Sequence, residues 1–167
     1  DRYYGLLGVV SGTYIFYIPS HLVNVTITDD AQIAQKAFEN VTMLQTFTSD
    51  SVEIIGDYAF NQTTALETVI LSRVEEIGAY AFGDCDSLIS IEIPKSIEKT
   101  NTAYYAEYIY GYCYGVFIAS DNLKNITFEE GITSIPTGIF ANNKSIETIT
   151  IPDTVETIGS AAFNSCT

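Results

Sequence analysis

The segment EEIGAYAFGDC, residues 75–85, has near-copies along this chain of 167 residues. EIIGDYAF occupies residues 53–60, and ETIGSAAF occupies residues 156–163. The phenylalanine of the segment recurs at intervals of 22, 22, 35, 23 and 23 residues, at Phe38, Phe60, Phe82, Phe117, Phe140 and Phe163. An aliphatic residue that opens each unit follows the same period with the same interruption, at Leu22, Leu44, Leu66, Leu88, Leu123 and Ile146. Two independent markers with one period predict a repeat protein of about six units, one of them enlarged.

A short alternating segment follows the opening residue of each unit. The clearest copies read LVNVTIT, LETVILS, LISIEIP, LKNITFE and IETITIP. Alternation of Val, Ile and Thr with a period of two is typical of a strand with one buried face. Pro94 and Pro152 stand where such a strand should end, because proline cannot donate to a strand ladder. We therefore expect one short strand in each unit.

A second apolar pair, such as Val74 and Ile77, precedes a glycine in three units, at Gly56, Gly78 and Gly159. Glycine at this place indicates either a turn with positive φ or a close approach of two backbones. The Ala–Phe that follows is expected to enter a short helical turn with its ring in the interior. One unit buries too little apolar surface to offset the entropy of ordering about 22 residues, so neighbouring units must stack.

The pattern LxxIxIPxxVxxIGxxAFxxC, repeated from Leu22 to Thr167, strongly resembles the BspA-like (Treponema-type) leucine-rich repeats. The resemblance implies an α/β fold, a right-handed leucine-rich-repeat solenoid with a parallel β-sheet on the concave face and short strands and helical turns on the convex side. Members of that family are typically secreted or surface-anchored proteins of bacteria and some parasitic protozoa, and they are implicated in adhesion, often to host matrix proteins. A secreted or cell-surface location is therefore implied for this chain.

Several units depart from the pattern. The first has Ile33-Ala34 where Ile–Gly is expected, and the fifth has Ile135-Pro136. The cysteine position is filled by Cys85 and Cys166 in two units, and by Val41, Thr63 and Asn143 in three others. The two cysteines should be buried and inert. They lie three coils apart, which is too far for a disulfide.

Two regions are distinguished along the chain. Residues 1–21 are interpreted as the tail of an irregular preceding repeat, and residues 22–167 as the repeats, with an enlarged coil at 88–122. The opening DRYYGLLGVV begins with an acid and lacks a basic region, so it does not read as a signal peptide. Capping repeats with polar outer faces are not evident, so we expect a fragment of a longer array or a short protein with poorly capped ends.

The enlarged coil exceeds the period by 13 residues, since 35 − 22 = 13, and its insertion reads TNTAYYAEYIYGYCYG. Alternation from Tyr108 onwards favours a strand or hairpin. Tyrosine offers a large contact area with few rotatable bonds, which suits binding surfaces. Two interpretations stay open: a protruding loop that contacts a partner, or an enlarged coil whose rings pack on the adjacent convex face. The candidate tyrosines are Tyr104, Tyr105, Tyr108, Tyr110, Tyr112 and Tyr114.

The outward positions of the concave strands form a second candidate surface. It is rich in hydroxyl groups and uncharged except at Glu92. The surface is either a binding face or a solvated sheet that tolerates β-forming residues. Its candidate contact residues are Thr26, Thr48, Thr68, Glu92, Thr127 and Thr150.

Composition excludes several functional classes. Seven basic residues face 21 acidic ones, for a net charge of −14, so a phosphate backbone would be repelled. No apolar run is long enough for membrane insertion of this segment. The sequence contains one histidine, His21, and has no CxxC, P-loop, HExxH or nucleophile elbow. We therefore expect no catalytic residues, no metal site, no cofactor and no enzymatic activity.

The sequence favours a non-enzymatic binding module of a secreted or surface-anchored protein. Adhesion or protein–protein contact would use the concave sheet, the tyrosine-rich loop, or both. The expected partner is a protein, such as a host matrix or surface protein. The alternative is a structural spacer array that displays other domains and binds no ligand of its own.

Overall fold

A computed structural model describes residues 7–10, 13–16, 21–101, 103–105 and 112–166. Residues 7–10, 13–16, 103–105, 112 and 113 are considered through their backbone alone. The described chain is made of short strands joined by turns. In chain order the strands are β1 (Leu7–Val10), β2 (Thr13–Phe16), β3 (Asn24–Ile27), β4 (Gln32–Ile33), β5 (Thr46–Ser49), β6 (Ile54–Ile55), β7 (Thr68–Leu71), β8 (Glu76–Ile77), β9 (Ser90–Ile93), β10 (Lys99–Thr100), β11 (Ala103–Tyr105), β12 (Tyr112–Tyr114), β13 (Asn125–Phe128), β14 (Ser134–Ile135) and β15 (Thr157–Ile158).

The strands of the repeats pair in parallel, as the repeat pattern predicts. On the long-strand face, formed by the four-residue strands, β3 pairs with β5, β5 with β7 and β13 with β9. On a second face, the two-residue strands form the order β4-β6-β8-β10, and β14 pairs with β15. Each register joins equivalent positions of successive coils, for example Val25 with Phe47 and Phe47 with Val69. The chain is therefore a parallel-strand solenoid of about six turns, and its predicted right-handed winding and concave curvature stay predictions.

The long-strand sheet is less regular than the sequence predicts. Among the described strands, no ladder joins β7 to β9, so the face consists of a three-stranded and a two-stranded sheet. The last predicted strand, IETITIP, forms no ladder in the described chain. Its inward residues Ile149 and Ile151 are half-buried, whereas Phe47 in an interior strand is fully buried. Weaker interior packing thus accompanies the missing strand in the last coil.

The interior is a single row of stacked phenylalanine rings flanked by aliphatic residues. Successive ring centroids are 5.1, 5.1, 5.5, 5.7 and 5.5 Å apart from Phe38 through Phe60, Phe82, Phe117 and Phe140 to Phe163. Opening leucines of four coils are completely buried, at Leu44, Leu66, Leu88 and Leu123. The continuous row confirms the predicted common interior, and it runs through the enlarged coil without a break.

The predicted helical turns are wrong: the described residues contain no helix, so the chain is not α/β there. The residues two before and two after an interior phenylalanine take left-handed φ in every coil except at Gly115, for example 57° at Tyr58 and 60° at Gln62. A right-handed helix cannot contain such residues at four-residue intervals. The N–H groups of Tyr58, Phe60 and Gln62 donate to Ala79, Ala81 and Gly83 of the next coil. The turns are therefore held by bonds between coils as well as by bonds within each coil, such as that from Thr63 N–H to Phe60.

The repeated glycines mark a close approach of successive backbones, one of the two roles expected for them. A Cβ atom added at Gly78 would lie 2.3 Å from the backbone nitrogen of Asp57 in the preceding coil. At Gly56 the added atom would lie 2.5 Å from the backbone nitrogen of Gln35. Ala34, at the equivalent position of the first coil, is exposed. The alanine is tolerated there because nothing in the described chain presses on it.

At the cysteine position of the repeat, every coil except the first, which has Val41, carries a side chain that donates a hydrogen bond. The side chain at this place donates to the main-chain oxygen of the preceding coil's phenylalanine, so a buried carbonyl is satisfied. Cys85 does so with its thiol, and its pKa is raised to about 12 by burial, so it stays protonated. Cys85 and Cys166 are unpaired, as the sequence predicts. The five bonds are Thr63 to Phe38 (3.0 Å), Cys85 to Phe60 (3.3 Å), Ser120 to Phe82 (2.7 Å), Asn143 to Phe117 (2.9 Å) and Cys166 to Phe140 (3.1 Å).

Candidate functional site

The tyrosine-rich insertion contains a hairpin, in agreement with its alternating sequence. Strands β11 and β12 pair antiparallel, with Tyr104 opposite Cys113 and Tyr105 opposite Tyr112. Tyr108 and Tyr110 lie outside the described residues. The insertion leaves the solenoid after β10 and rejoins it at Gly115, whose main-chain oxygen accepts from Tyr80 N–H. The backbone therefore returns to the repeat path directly after the hairpin.

Tyr114, at the foot of the hairpin, completes a row of tyrosines on the solenoid. Its half-buried ring stacks on Tyr80 at 5.4 Å, and Tyr80 stacks on Tyr58 at 4.8 Å. The ammonium of Lys36 lies 5.4 Å from the centre of the Tyr58 ring, within the range of a cation–π contact. For Tyr114 the packing interpretation of the insertion is supported. Tyr58 and Tyr80 were not among the predicted site residues, although both stand two positions before a repeat phenylalanine.

The outward residues of the long-strand face are exposed or half-exposed, as their alternation predicts. Neighbouring coils share hydrogen bonds there: the hydroxyl groups of Thr26 and Thr48 are 3.1 Å apart, and the Thr46 hydroxyl donates to Asn24 Oδ1. Part of the hydrogen-bonding capacity of this surface is thus used in bonds between the protein's own side chains. Thr68, Glu92 and Thr127 are exposed on β7, β9 and β13, and exposed Thr150 lies in the last coil, where no strand forms.

Two depressions lie on the long-strand face and meet at Ile70. One, of about 230 Å³, is lined by residues at the carboxyl ends of β3, β5 and β7, including Thr28, Thr48 and Asp50. The other, of about 260 Å³, lies at the interrupted edge between β7 and β9. Ile70 is 50% exposed, and its neighbours in register, Thr48 and Thr26, are polar.

Charged side chains form a rim of ion pairs between coils. Lys95 and Lys99 lie 2.7 and 2.8 Å from Glu129 and Glu76 respectively. Within the described chain, no group of three potential metal ligands is close enough to hold an ion. No described helix has the length and apolar character needed to cross a membrane. Nothing in this rim points to chemistry beyond surface charge.

Among the described carboxylates, Asp84 is the one whose ionised form is most clearly disfavoured by its surroundings. Partial burial raises its pKa, and the nearby charges of Asp86 and Asp121 raise it further. Its φ of 52° places it in the left-handed region, where Asn40 and Asn142 occupy the equivalent positions of other coils. Asparagine tolerates this conformation and carries no charge.

We expect Asp84→Asn to stabilise the protein at neutral pH by roughly half a kcal/mol. Because the folded-state pKa is raised, the native state binds the proton more tightly and loses stability as the pH rises through that pKa. The gain should therefore shrink below about pH 3, where the carboxyl is protonated in both states. Urea denaturation at about pH 7 and pH 3 measures this difference. Asp86→Asn, which removes only a neighbouring charge, should give a smaller gain, and an equal gain at both pH values for Asp84→Asn would contradict the electrostatic origin.

A family model described as the BspA type leucine rich repeat region matches this chain in six copies, over residues 11–108 and 31–167. Among curated proteins, none matches the chain. A leucine rich cell surface protein from Faecalibacterium prausnitzii A2-165 is similar in structure, with 28% identity and a TM-score of 0.62. The match covers 87% of this chain and 37% of that one, so this chain spans well under half of that protein.

Two further solved structures share the fold. The pneumococcal vaccine antigen PcpA is 23% identical, with a TM-score of 0.61, over 89% of this chain and 40% of that chain. The leucine rich repeat protein TpLRR of T. pallidum is 21% identical, with a TM-score of 0.56, over 87% of this chain and 77% of that chain. At these identities the likeness concerns the solenoid architecture alone.

Proposed function

Because this chain belongs to the BspA type leucine rich repeat family, we propose that it is a non-enzymatic protein-binding module of a secreted or surface-anchored protein. Its work would be adhesion or protein–protein contact, with a host matrix or surface protein as the partner. The similar Faecalibacterium protein is a cell surface protein, which supports the location.

The long-strand face carries the proposal. Its four-residue strands present polar, mainly uncharged side chains, and at its centre Ile70 is exposed between two depressions. A mostly hydrogen-bonding surface with a central apolar contact is the usual composition of a protein interface. The tyrosine-rich hairpin would add aromatic contacts from Tyr104, Tyr105, Tyr108, Tyr110 and Tyr112.

A structural spacer is the alternative function, and two observations favour it. The rings of Tyr58, Tyr80 and Tyr114 stack on one another. Hydroxyl groups of the long-strand face bond to one another, as in the pair Thr26 and Thr48. In a spacer, both surfaces would contribute to stiffness rather than to recognition.

A binding assay on paired variants separates these functions. One variant replaces Tyr108, Tyr110 and Tyr112 with serine, and a second replaces Ile70 and Thr48 with aspartate. A binding module predicts that at least one variant binds an immobilised panel of extracellular-matrix proteins about tenfold more weakly, with little change in melting temperature. A spacer predicts no saturable binding by the unmodified chain, and a lower melting temperature for the tyrosine variant.

A further inference from the structure

The depression of about 260 Å³ on the long-strand face, called the cleft from here on, lies where the sheet is interrupted. In a continuous parallel sheet, adjacent strands lie about 4.8 Å apart and their side chains close over the backbone. Between β7 and β9 the ladder is missing, and the opening reaches Leu71, which belongs to the core and is 4% exposed. Its lining includes Ile70, Leu71 and Ser72 from one coil, and Glu92, Pro94 and Glu129 from the next two.

The walls and the mouth of this cleft differ in chemistry. Ile70 supplies the exposed apolar wall, since Leu71 and Pro94 are buried, whereas Glu92 and Glu129 place carboxylates beside it. Glu129 is already paired with Lys95. The Lys95 ammonium forms an ion pair with its carboxylate at 2.7 Å, and the Lys95 main-chain N–H donates to the same carboxylate at 3.0 Å. Glu92 is exposed and has no hydrogen bond or ion pair within the described part of the chain. Its charge is therefore available to a partner.

The neighbouring depression extends the same surface. It shares Ile70 and Ser72 with the cleft and carries Asp50 on its far side. Both depressions thus combine an apolar centre at Ile70 with a peripheral carboxylate. The whole chain, at a net charge of −14, would attract a cationic partner over a longer range.

We propose that this cleft binds a lysine or arginine side chain of an extended, cationic segment of a partner protein. The methylene stem would lie along the exposed Ile70, and the charged end would reach Glu92. Long basic side chains bury their stems on apolar surface while keeping the charge at a polar edge, which matches this arrangement. The inference rests on the proposed function and adds to it the chemistry of the partner.

The test uses a fluorescently labelled eight-residue peptide in which two arginines alternate with serine and valine. The control peptide carries citrulline, which is nearly the same shape as arginine but uncharged. Fluorescence anisotropy with the unmodified protein should show saturable binding of the arginine peptide and at least tenfold weaker binding of the citrulline peptide. Glu92→Gln should weaken arginine-peptide binding about three- to tenfold, and Ile70→Ser about fivefold.

Matched variants at the start of β7 separate this site from diffuse charge attraction. Glu67→Gln removes the same charge from an exposed residue at the amino end of β7 that does not line the cleft, and it should change affinity less than twofold. Thr68→Ser is the corresponding control for Ile70→Ser. Equal weakening by Glu67→Gln and Glu92→Gln, or no binding by the unmodified protein, would overturn the inference. Neither result affects the proposed function, which the matrix-protein assay decides separately.

Discussion

Replacing Phe82 with alanine should lower the free energy of unfolding by about 3–5 kcal/mol, the range for a large aromatic side chain lost from a core. Phe82 is completely buried, and its ring stacks on Phe60 at 5.1 Å and on Phe117 at 5.5 Å. The substitution removes both stacks and leaves a cavity between two rigid coils. Neither coil can close it, because their backbones are already joined by hydrogen bonds such as that from Phe82 N–H to Val116.

Urea denaturation followed by circular dichroism measures this loss, and Phe163→Ala is its matched control. Phe163 is half-buried and, among the described rings, stacks only on Phe140, at 5.5 Å. Its replacement should cost about 1–2 kcal/mol, since less surface is buried and one ring contact is lost. The unfolding transition of Phe82→Ala should also broaden, because a solenoid depends on contacts between neighbouring units. Equal losses at the two positions would contradict a continuous shared interior.

Gly78→Ala should cost about 3 kcal/mol, close to the upper end for overpacking. The new methyl group would lie 2.3 Å from the backbone nitrogen of Asp57, and within 2.6 Å of two further backbone atoms. No side chain can rotate away to relieve such a contact, so the spacing between two coils must increase. Hydrogen bonds between those coils, including that from Gly78 N–H to Ile55, would lengthen as a result.

Gly131→Ala is the control for this prediction. Gly131 has φ of +86°, and an added Cβ would meet nothing within 4 Å. Its replacement therefore tests backbone strain without a clash and should cost about 1 kcal/mol. Thermal and urea unfolding of the two variants should separate them clearly. A cost for Gly78→Ala no larger than that for Gly131→Ala would show that the coils are not held at the described spacing.

Periodicity in the sequence was sufficient to predict the architecture. The recurrence of Phe60 and Phe82 in equivalent segments required equivalent places in successive coils, and the rings do stack. Alternation predicted which residues of β7 face inward: Val69 and Leu71 are buried, and Ile70 is exposed. These features repeat from coil to coil, so each copy reinforces the interpretation of the others.

The helical turns, expected from the Ala–Phe segments and from the resemblance, were wrong because these segments are too short to give a periodicity that tests the expectation. Tyr58 and Gln62 take left-handed φ, and neither residue type signals that conformation as glycine would. The conformation is stabilised by hydrogen bonds to the next coil, which a single unit does not reveal. Interruption of the sheet beside Ile70 was equally hidden, since β7 and β9 both have good strand sequences.

Of the candidate site residues, the threonines of the long strands could be predicted because they alternate with the core. Comparing the position two before the phenylalanine in successive coils could have found Tyr58 and Tyr80, but not Tyr114, which stands three before Phe117. Binding by Tyr104, Tyr105, Tyr108, Tyr110 and Tyr112 stays a prediction. A partner's identity depends on contacts that no periodic pattern specifies.

The donor position filled by Thr63, Cys85 and Ser120 gives the array a direction. Each of these side chains donates to a main-chain carbonyl group of the coil before it, so each of these coils supplies one hydrogen bond to its predecessor. During synthesis, the newest coil would therefore lack this bond until the next one emerged from the ribosome. Addition of a coil at the carboxyl-terminal end would form that bond for the preceding coil, and the new coil would then be the one that lacks it.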